Sequence, residues 1–324
     1  MKKIFMLIGC LLMALMLAAG CGSDNKAKES GGKVTLNYPA SMQAKGFKEP
    51  LVLKQRPQRV VSLTITPVLA LHEIGVTQVG IPKTGIMKWP EDLAKNAQQF
   101  TVAMQDNFDI EKVVALEPDL VMVGYYAKDK YGQLLEKQNI PVYYVDAGPM
   151  VDYQSVKDLT NALIDAFGKD SKGAQAISER FKKLDERMAA KREANKDKTV
   201  MVLQSAPPRH FIQTKDANLG SMLTLLGYKN VYSNDKSRMV MLDKEQAISY
   251  EPDLLVCVGA APNPADHQKA MEADFAASPE YWQQIKAIRE GNVVYLSSKY
   301  VVSTGIDVID DINHLIDTLE QRKL

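Results

Sequence analysis

The chain contains 324 residues, of which 46% are apolar and 24% are charged. This composition is typical of globular proteins, and the length suffices for two compact domains. The formal net charge is +1, and there is neither a run of like charges nor a basic stripe, which argues against nucleic acid as a partner.

Residues 1–20 have the pattern of an export signal. Lys2 and Lys3 precede the apolar run IFMLIGCLLMALMLA, which is too short to span a bilayer comfortably. The run ends in LAAGC, and the small residues before Cys21 resemble the lipobox of bacterial lipoproteins. The resemblance implies cleavage before Cys21 and a lipid on its sulfur, which anchors the protein to a membrane through a flexible tether, residues 21–32. The alternative is an ordinary signal peptide with a chance cysteine.

Cysteine usage leaves no intramolecular disulfide in the mature chain. Cys10 leaves with the signal, Cys21 carries the lipid and Cys257 remains alone. The domains must therefore be stabilised by apolar cores, and Cys257, in the run DLLVCV, is predicted to be a buried small hydrophobe.

Residues 33–168 are predicted to form a first α/β lobe, because short apolar runs alternate with amphipathic segments. Runs rich in Val, Ile and Tyr indicate strands: RVVSL (59–63), QVGI (78–81), DLVMVG (119–124) and PVYYV (141–145). Helices are predicted between them at 67–74, 110–116 and 130–138. The alternation favours a largely parallel sheet with helices on its faces.

Residues 169–195 are predicted to form one long helix. Ile177, Phe181, Leu184 and Met188 follow one another at helical steps, which places a single apolar stripe on an otherwise charged surface. At 1.5 Å per residue its segment 171–194 is a rod of roughly 35 Å, which can hold two lobes side by side with a cleft between them. The alternative is a helix that belongs wholly to one lobe.

Residues 196–324 are predicted to form a second α/β lobe, because the alternation resumes after the long helix. The predicted strands are TVMVLQ (199–204), NVY (230–232), DLLVCVG (253–259) and NVVYL (292–296). The predicted helices lie at 219–226, 244–249, 279–288 and 308–319, and the last is strongly amphipathic.

The tetrapeptide EPDL occurs once in each lobe, at 117–120 and 251–254. The segments that end in it, DIEKVVALEPDL and DKEQAISYEPDL, agree at six of twelve positions. Proline disfavours helix at the residue before it, so each copy predicts a short helix, a break and a buried strand.

Each copy also places a glutamate, Glu111 or Glu245, in the first turn of its predicted helix. Asp109 and Asp243 precede these glutamates by two residues and are predicted to cap the helices. A first-turn carboxylate gains a little from the helix dipole, so the residues alone favour a purely structural role for both glutamates.

The whole mature chain resembles the substrate-binding proteins of ATP-binding cassette (ABC) importers, in the group that handles iron complexes, haem and cobalamin. Five segments carry the resemblance in order: RPQRVVSLTITPVLALHEIG, DIEKVVALEPDLVMVG, NLGSMLTLLGYKNVY, DKEQAISYEPDLLVCVG and YWQQIKAIREGNVVYL. The resemblance implies two similar α/β lobes with mainly parallel sheets, joined by one long rigid helix, with a ligand cleft between them.

The resemblance also implies a role for the paired glutamates. In that family one glutamate on each lobe docks into arginine-lined pockets of the membrane permease, and the matching positions here are Glu111 and Glu245. Two like-charged groups on two similar lobes suit a permease built from two identical subunits.

One segment departs from the family pattern. The first cleft motif of the family usually has serine-proline-serine before a threonine-glutamate pair, whereas here the strand is followed by TITPVLAL, with Leu69 at the usual glutamate position. The cleft chemistry of relatives therefore does not transfer to this chain.

Ligands of open α/β sheets bind outside the carboxyl ends of the strands. The candidate ligand-binding residues are accordingly those that follow the predicted strands: Thr64, Thr66, Lys83, Trp89, Met104, Gln105, Tyr125, Tyr126, Arg209, His210, Met239 and Tyr300. Arg209 would hold a carboxylate or propionate, and His210, or a nearby tyrosine or methionine, could ligate iron. The alternative for His210 is a histidine whose hydrogen bonds are satisfied within the protein.

Motifs of enzymes are missing from the sequence: it contains no Gly-x-Ser-x-Gly elbow, no phosphate-cradling glycine-rich loop and no paired histidines on a helix. We therefore expect a non-enzymatic, lipid-anchored, extracytoplasmic monomer that captures a ferric siderophore, haem or cobalamin. It would deliver this ligand to an ABC permease dimer with its ATPase subunits. We expect no cofactor and no resident metal, the iron or cobalt belonging to the transported ligand.

Two alternatives stay open. A zinc- or manganese-binding importer receptor would need three or four convergent histidine and carboxylate ligands. A lipid-anchored sensor or hydrolase outside transport would need a partner or a catalytic constellation.

Overall fold

The computed structural model describes residues 32–85, 87–101, 108–147, 151–232, 237–259, 263–301 and 304–322. The signal segment, Cys21, most of the tether, Met104 and Gln105 lie outside the described residues, so the predictions made for them stay predictions. Within the described ranges, no helix combines the length and the apolar character that crossing a membrane requires.

The first lobe is built on a five-stranded, wholly parallel sheet. A short antiparallel pair with one helical turn precedes it: β1 (Val34–Leu36), α1 (Ala40–Gln43) and β2 (Leu51–Leu53). The lobe continues with β3 (Val60–Ser62), α2 (Val68–Glu73), β4 (Gln78–Lys83), α3 (Glu91–Asn96), β5 (Gln98–Thr101), α4 (Ile110–Val114), β6 (Leu120–Gly124), α5 (Gln133–Lys137), β7 (Val142–Val145) and α6 (Tyr153–Phe167). The strand order is β5-β4-β3-β6-β7.

A single long helix, α7 (Lys172–Asn195), connects the two sheets. Ser171 caps it by accepting a hydrogen bond from the backbone N–H of Ala174 at 3.0 Å. Ile177, Phe181, Leu184 and Met188 are all buried in one apolar core that includes residues of both lobes. The stripe predicted from the sequence is therefore the surface along which both lobes pack.

The second lobe is built on a six-stranded mixed sheet. Its elements are β8 (Thr199–Ala206), β9 (Arg209–Gln213), α8 (Asn218–Leu225), β10 (Lys229–Asn230), β11 (Met239–Met241), α9 (Lys244–Ser249), β12 (Leu254–Gly259), α10 (Pro264–Ala277), α11 (Pro279–Trp282), α12 (Lys286–Arg289), β13 (Val293–Leu296) and α13 (Val308–Gln321). The strand order is β11-β9-β8-β12-β13, and β10 pairs with the first residues of β8.

The second lobe differs from the sequence prediction in several places: β11 and α10 were not predicted, the strand predicted at 230–232 is β10 at Lys229–Asn230, and two predicted segments have another structure. Arg209 and His210, predicted to follow a strand, lie instead in the second strand of a hairpin, because β8 extends to Ala206 and β9 returns antiparallel to it. The single helix predicted at 279–288 is two short helices, α11 and α12, and the break between them lets both Trp282 and Ile285 be buried in the core.

Both copies of EPDL adopt the same backbone. Glu117 and Glu251 each have a φ of 45°, in the left-handed region, directly before a proline. Because proline disfavours the right-handed helical conformation at the preceding residue, this geometry ends each helix and turns the chain into its strand. The two strands that follow are also paired alike, with Leu120 opposite Val60 and Leu254 opposite Val200.

The aspartate of each EPDL joins two neighbouring strands at their first residues. Asp119 accepts hydrogen bonds from the backbone N–H groups of Gln58 at 2.6 Å and Arg59 at 2.9 Å. Asp253 accepts one from the backbone N–H of Thr199 at 2.7 Å. The repeated tetrapeptide therefore serves the scaffold of both lobes.

Candidate functional site

Each sheet has a point at which its connections leave in opposite directions. In the first lobe β3 lies between β4 and β6, and in the second lobe β8 lies between β12 and the strands β9 and β10. Such switch points open a crevice at the carboxyl ends of the strands, where ligands of open α/β sheets bind. The residues after β3 and β6, and the tip of the β8–β9 hairpin, therefore border the candidate cleft.

Three first-lobe candidates reach the surface. Lys83, at the end of β4, and Tyr126, after β6, are exposed, and Tyr125 is half-buried. The rings of Tyr125 and Tyr126 meet edge to face with centroids 5.8 Å apart, and Lys45 Nζ lies 5.0 Å from the centre of the Tyr125 ring. The first-lobe border thus combines aromatic faces with cationic groups.

The second-lobe border is one face of the ribbon formed by β8, β9 and β11. Phe211 pairs directly with Met241, and Met239 pairs with Gln213, so Arg209, Phe211, Met239 and Met241 share one face. Arg209 and both methionines are exposed. We call these four residues the hairpin face. Met241 was missed as a candidate, since only the pairing of β11 with β9 brings it beside Phe211 on the face that carries Arg209.

His210 lies on the opposite face of the same strand from Arg209 and is buried. Its Nδ1 is 2.9 Å from Ser205 Oγ, its Nε2 is 3.2 Å from a carboxylate oxygen of Asp274, and its ring packs edge to face on Trp282. Desolvation lowers the pKa of His210, which the charge of Asp274 offsets only in part. The pair predicted as neighbours in the cleft is therefore divided between two faces of the sheet.

A serine, a histidine and a carboxylate in series are also the parts of a hydrolytic triad. Ser205, however, is only 4% exposed, so in this arrangement its hydroxyl has no surface on which to meet a substrate. The series instead lies against the second core, where Ser205 and Asp274 face the two ring nitrogens of His210.

Four further candidates are buried: Thr64, Thr66, Trp89 and Tyr300. The indole N–H of Trp89 donates to the carbonyl of Pro82 at 2.8 Å, and the hydroxyl of Tyr300 lies 3.3 Å from the carbonyl of Asp311. Thr64 and Thr66 follow β3 at the cleft end of the first sheet but present little surface. Their role in ligand binding stays a prediction.

The two glutamates of the repeat occupy matched and exposed positions. Asp109 caps α4 by accepting from the backbone N–H of Lys112 at 3.2 Å, and Asp243 caps α9 by accepting from that of Gln246 at 2.9 Å, as their spacing predicts. Neither Glu111 nor Glu245 has an ion-pair partner within the described ranges, and both side chains are exposed. Each of these helices ends at the amino end of the strand that follows it. Its first turn therefore lies toward the carboxyl end of that strand, where the cleft opens.

A metal centre is not formed by the part of the chain that the structure describes: it contains no group of three or more His, Cys, Asp or Glu side chains that could hold an ion.

Comparison with known proteins agrees with this architecture. The family model described as periplasmic binding protein matches residues 60–300. The chain belongs to this family. The match runs from β3 in the first lobe, through α7, to the turn after β13 in the second, so it covers both sheets and the helix that joins them.

The chain has low sequence identity to individual members of the family, but it aligns with those named below over most of their length. It is 22% identical to an uncharacterized ABC transporter substrate-binding lipoprotein, YvrC, of Bacillus subtilis, over 98% of each chain. It is 22% identical to the Fe(3+)-citrate-binding protein YfmC of the same organism, over 90% of this chain and 89% of that one.

The solved structures confirm the predicted two-lobed α/β fold. The siderophore-binding protein BauB, solved with two molecules of acinetobactin and ferric iron, superposes with a TM-score of 0.62 at 20% identity, covering 86% of this chain and 97% of BauB. A possible iron-binding protein of Staphylococcus epidermidis superposes with a TM-score of 0.65 at 20% identity, over 82% and 99% of the two chains.

Proposed function

We propose that this chain is the extracytoplasmic, lipid-anchored receptor of an ABC importer, and that it captures an iron chelate without chemically changing it. The observation that carries the proposal is the matched pair Glu111 and Glu245 in a member of this binding-protein family. Both are exposed in the first turns of identically capped helices, one on each lobe. A pair of exposed carboxylates at equivalent places suits a dimeric permease that offers two cationic pockets.

The hairpin face supports an anionic chelate as the ligand. Arg209 supplies a cation that can hold a carboxylate or an oxygen donor of the chelate, and Phe211, Met239 and Met241 supply apolar surface beside it. His210 faces the other way and is already hydrogen-bonded, so it does not ligate the metal from this position. We therefore favour a ferric chelate whose own donors hold the iron, as citrate or a siderophore does, and treat haem and cobalamin as competing outcomes.

The docking role predicts a specific transport defect. Cells that carry Glu111→Ala together with Glu245→Ala should lose at least about tenfold in the rate of radiolabelled ferric-chelate uptake, because the lost carboxylates leave buried cations on the permease unpaired. The affinity of the purified double variant for the chelate should be unchanged, because the variant keeps all four residues of the hairpin face.

The matched control is Glu91→Ala with Glu280→Ala. These glutamates also occupy first turns, of α3 and α11, and should leave uptake intact. Normal uptake by the Glu111 and Glu245 double variant, at normal protein levels, would remove the docking assignment.

A further inference from the structure

An N-terminal arm of the chain, residues 33–53, precedes the part that the family model matches, which begins at residue 60. The arm packs on β7, an edge strand of the first sheet. Its Tyr38 ring stacks on that of Tyr143 with the centroids 4.5 Å apart, and the Tyr38 hydroxyl accepts a hydrogen bond from the backbone N–H of Tyr144 at 3.2 Å. The arm is therefore an integral part of the first lobe, although it lies outside the family match.

The turn that ends α1 sets the course of the arm. Gly46 has a φ of 96°, in the left-handed region that favours glycine, and the backbone N–H of Phe47 donates to the carbonyl of Met42 at 3.1 Å. This arrangement ends the helix and reverses the chain. The centroid of the Phe47 ring then lies 5.1 Å from that of the Tyr144 ring on β7. The residue before the glycine, Lys45, is thereby brought to the same side of the first lobe.

Lys45 reaches the carboxyl ends of two neighbouring strands. Its Nζ lies 2.5 Å from Oδ2 of Asp146, the residue directly after β7, and 5.0 Å from the centre of the Tyr125 ring, directly after β6. The two strands are parallel, so these residues stand at the same edge of the sheet, where ligands of open α/β sheets bind. Lys45 is thus a cation at the cleft edge, and the sequence did not reveal it because Lys45 does not follow a strand.

The ammonium group of Lys45 keeps donors for a further partner. A lysine ammonium has three N–H donors, and among the described residues only Asp146 accepts a hydrogen bond from this one. The Lys45 side chain is 32% exposed and that of Asp146 is 13% exposed, so the cation is the more accessible member of the pair. The Tyr125 ring adds a cation–π attraction. Asp146 and Tyr125 thus hold a cation in place with two of its donors unused.

Exposed aromatic surface lies beside this cation. The ring of Tyr126 meets that of Tyr125 edge to face with the centroids 5.8 Å apart, and Tyr126 is 47% exposed. An anionic ligand with an organic framework can therefore meet a positive charge and an aromatic face at the same place. A free metal cation would instead be repelled by the lysine.

We propose that Lys45 binds the ligand and selects anionic chelates. This inference rests on the proposed function of the chain as an iron-chelate receptor. The two unused N–H groups of Lys45 donate to an anionic oxygen at the surface of the chelate, while Asp146 and Tyr125 hold the ammonium in place. The arm thus gives the first-lobe border a cation that acts as Arg209 does on the hairpin face, and each lobe holds the ligand through a positive group.

Titration of the mature chain with ferric complexes of different charge tests this proposal. Ferric citrate and a ferric tris-catecholate complex are anionic, whereas ferrioxamine B is cationic. The wild type should bind an anionic complex more tightly than ferrioxamine B. Lys45→Met, which keeps an unbranched side chain beside the Tyr125 ring but removes the charge, should bind that anionic complex about tenfold more weakly.

The matched control is Lys48→Met, a change of an exposed lysine in the same arm, which should leave the affinity unchanged. Lys45→Arg keeps the charge and should stay within about threefold of the wild type. Sodium chloride separates a contact with the ligand from a purely structural role of Lys45. Raising its concentration from about 50 mM to about 500 mM should weaken binding by the wild type more than binding by Lys45→Met, because the wild type has one more charge pair for salt to screen.

Three results would contradict the proposal. Wild-type affinity of Lys45→Met for the anionic complex, or an equal salt dependence of the two proteins, would overturn it. Tighter binding of ferrioxamine B than of either anionic complex by the wild type, a result that needs no variant, would also overturn it while leaving the iron-chelate receptor intact. Binding of none of these complexes would instead contradict the proposed function, and this inference with it.

Discussion

Asp253 shows how one side chain of the repeat holds the second sheet together. Its Oδ2 accepts hydrogen bonds from the backbone N–H of Thr199 at 2.7 Å and from the Thr199 hydroxyl at 2.8 Å, while its Oδ1 accepts one from Lys286 Nζ at 2.6 Å. The hydrogen bond from Lys286 is the largest cause of a pKa lowered to about 2. The ionised carboxylate is therefore the form that joins β8 to β12.

Replacing Asp253 by asparagine should lower the free energy of unfolding at pH 7 by about 1–3 kcal/mol, because the amide cannot satisfy the same three donors. The folded pKa lies below the ordinary value, so the stabilisation is complete above about pH 4 and disappears as the pH falls toward about 2. The difference in free energy of unfolding between wild type and variant, measured by urea denaturation, should therefore shrink as the pH falls from about 4 to about 2.

The matched control is Asp266→Asn. Asp266 is exposed in the first turn of α10, and this substitution should not change the free energy of unfolding. Equal stability of Asp253→Asn and the wild type at pH 7 would show that the carboxylate does not join the strands.

Residue roles could be predicted where their partners are close in sequence. The capping by Asp109 and Asp243 follows from a spacing of three residues, which the helix itself imposes. The role of Asp119 and Asp253 could not be predicted, because their partners belong to neighbouring strands more than 50 positions away.

At the scale of elements, the start of α7 packs closely against the end of α2 in the first lobe. A Cβ atom on Gly173 would lie 1.8 Å from the carbonyl oxygen of Glu73, at the end of α2. The two backbones thus approach more closely than any side chain allows, and Gly173 is required for the contact although glycine is a poor helix former.

Gly173→Ala should therefore destabilise the protein by about 1–3 kcal/mol, since the added methyl group must push α7 away from α2. Helix propensity alone predicts the opposite sign, a gain of roughly 1 kcal/mol. The melting temperature separates the two effects. Gly85→Ala, where the methyl group would meet open space, is the control and should stay near wild type, while a rise for Gly173→Ala would contradict the packing described for α7.

Helices and strands could be predicted from the sequence where one hydrophobic periodicity ran through the whole element. The stripe from Ile177 to Met188 predicted α7 because a single row of apolar side chains faces both lobes. In contrast, α10 buries a histidine, His267, with Met271 and Phe275, so its inner face mixes polar and apolar groups and gives no clean stripe. The strand β9 was missed because no local signal separates a hairpin at Pro207 from a loop.

At the scale of the whole molecule, the doubled unit of capped helix, left-handed turn and buried strand predicted two related lobes, and the structure has them. The cleft was predicted less completely, because its chemistry depends on which face of the β8–β9 hairpin each residue occupies. Arg209 and His210 are neighbours in sequence and lie on opposite faces, since side chains alternate along a strand. The ligand assignment therefore rests on the hairpin face.

The most direct test of the central claim is an equilibrium titration of the mature chain in detergent with ferric citrate, a ferric siderophore, haem, cobalamin and zinc ions. Binding is followed by quenching of Trp89 and Trp282 fluorescence and by the visible spectrum of each ligand. We predict saturable one-to-one binding of a ferric chelate, weakened by at least about tenfold in Arg209→Ala. Binding of free zinc with no response to any chelate would contradict the account.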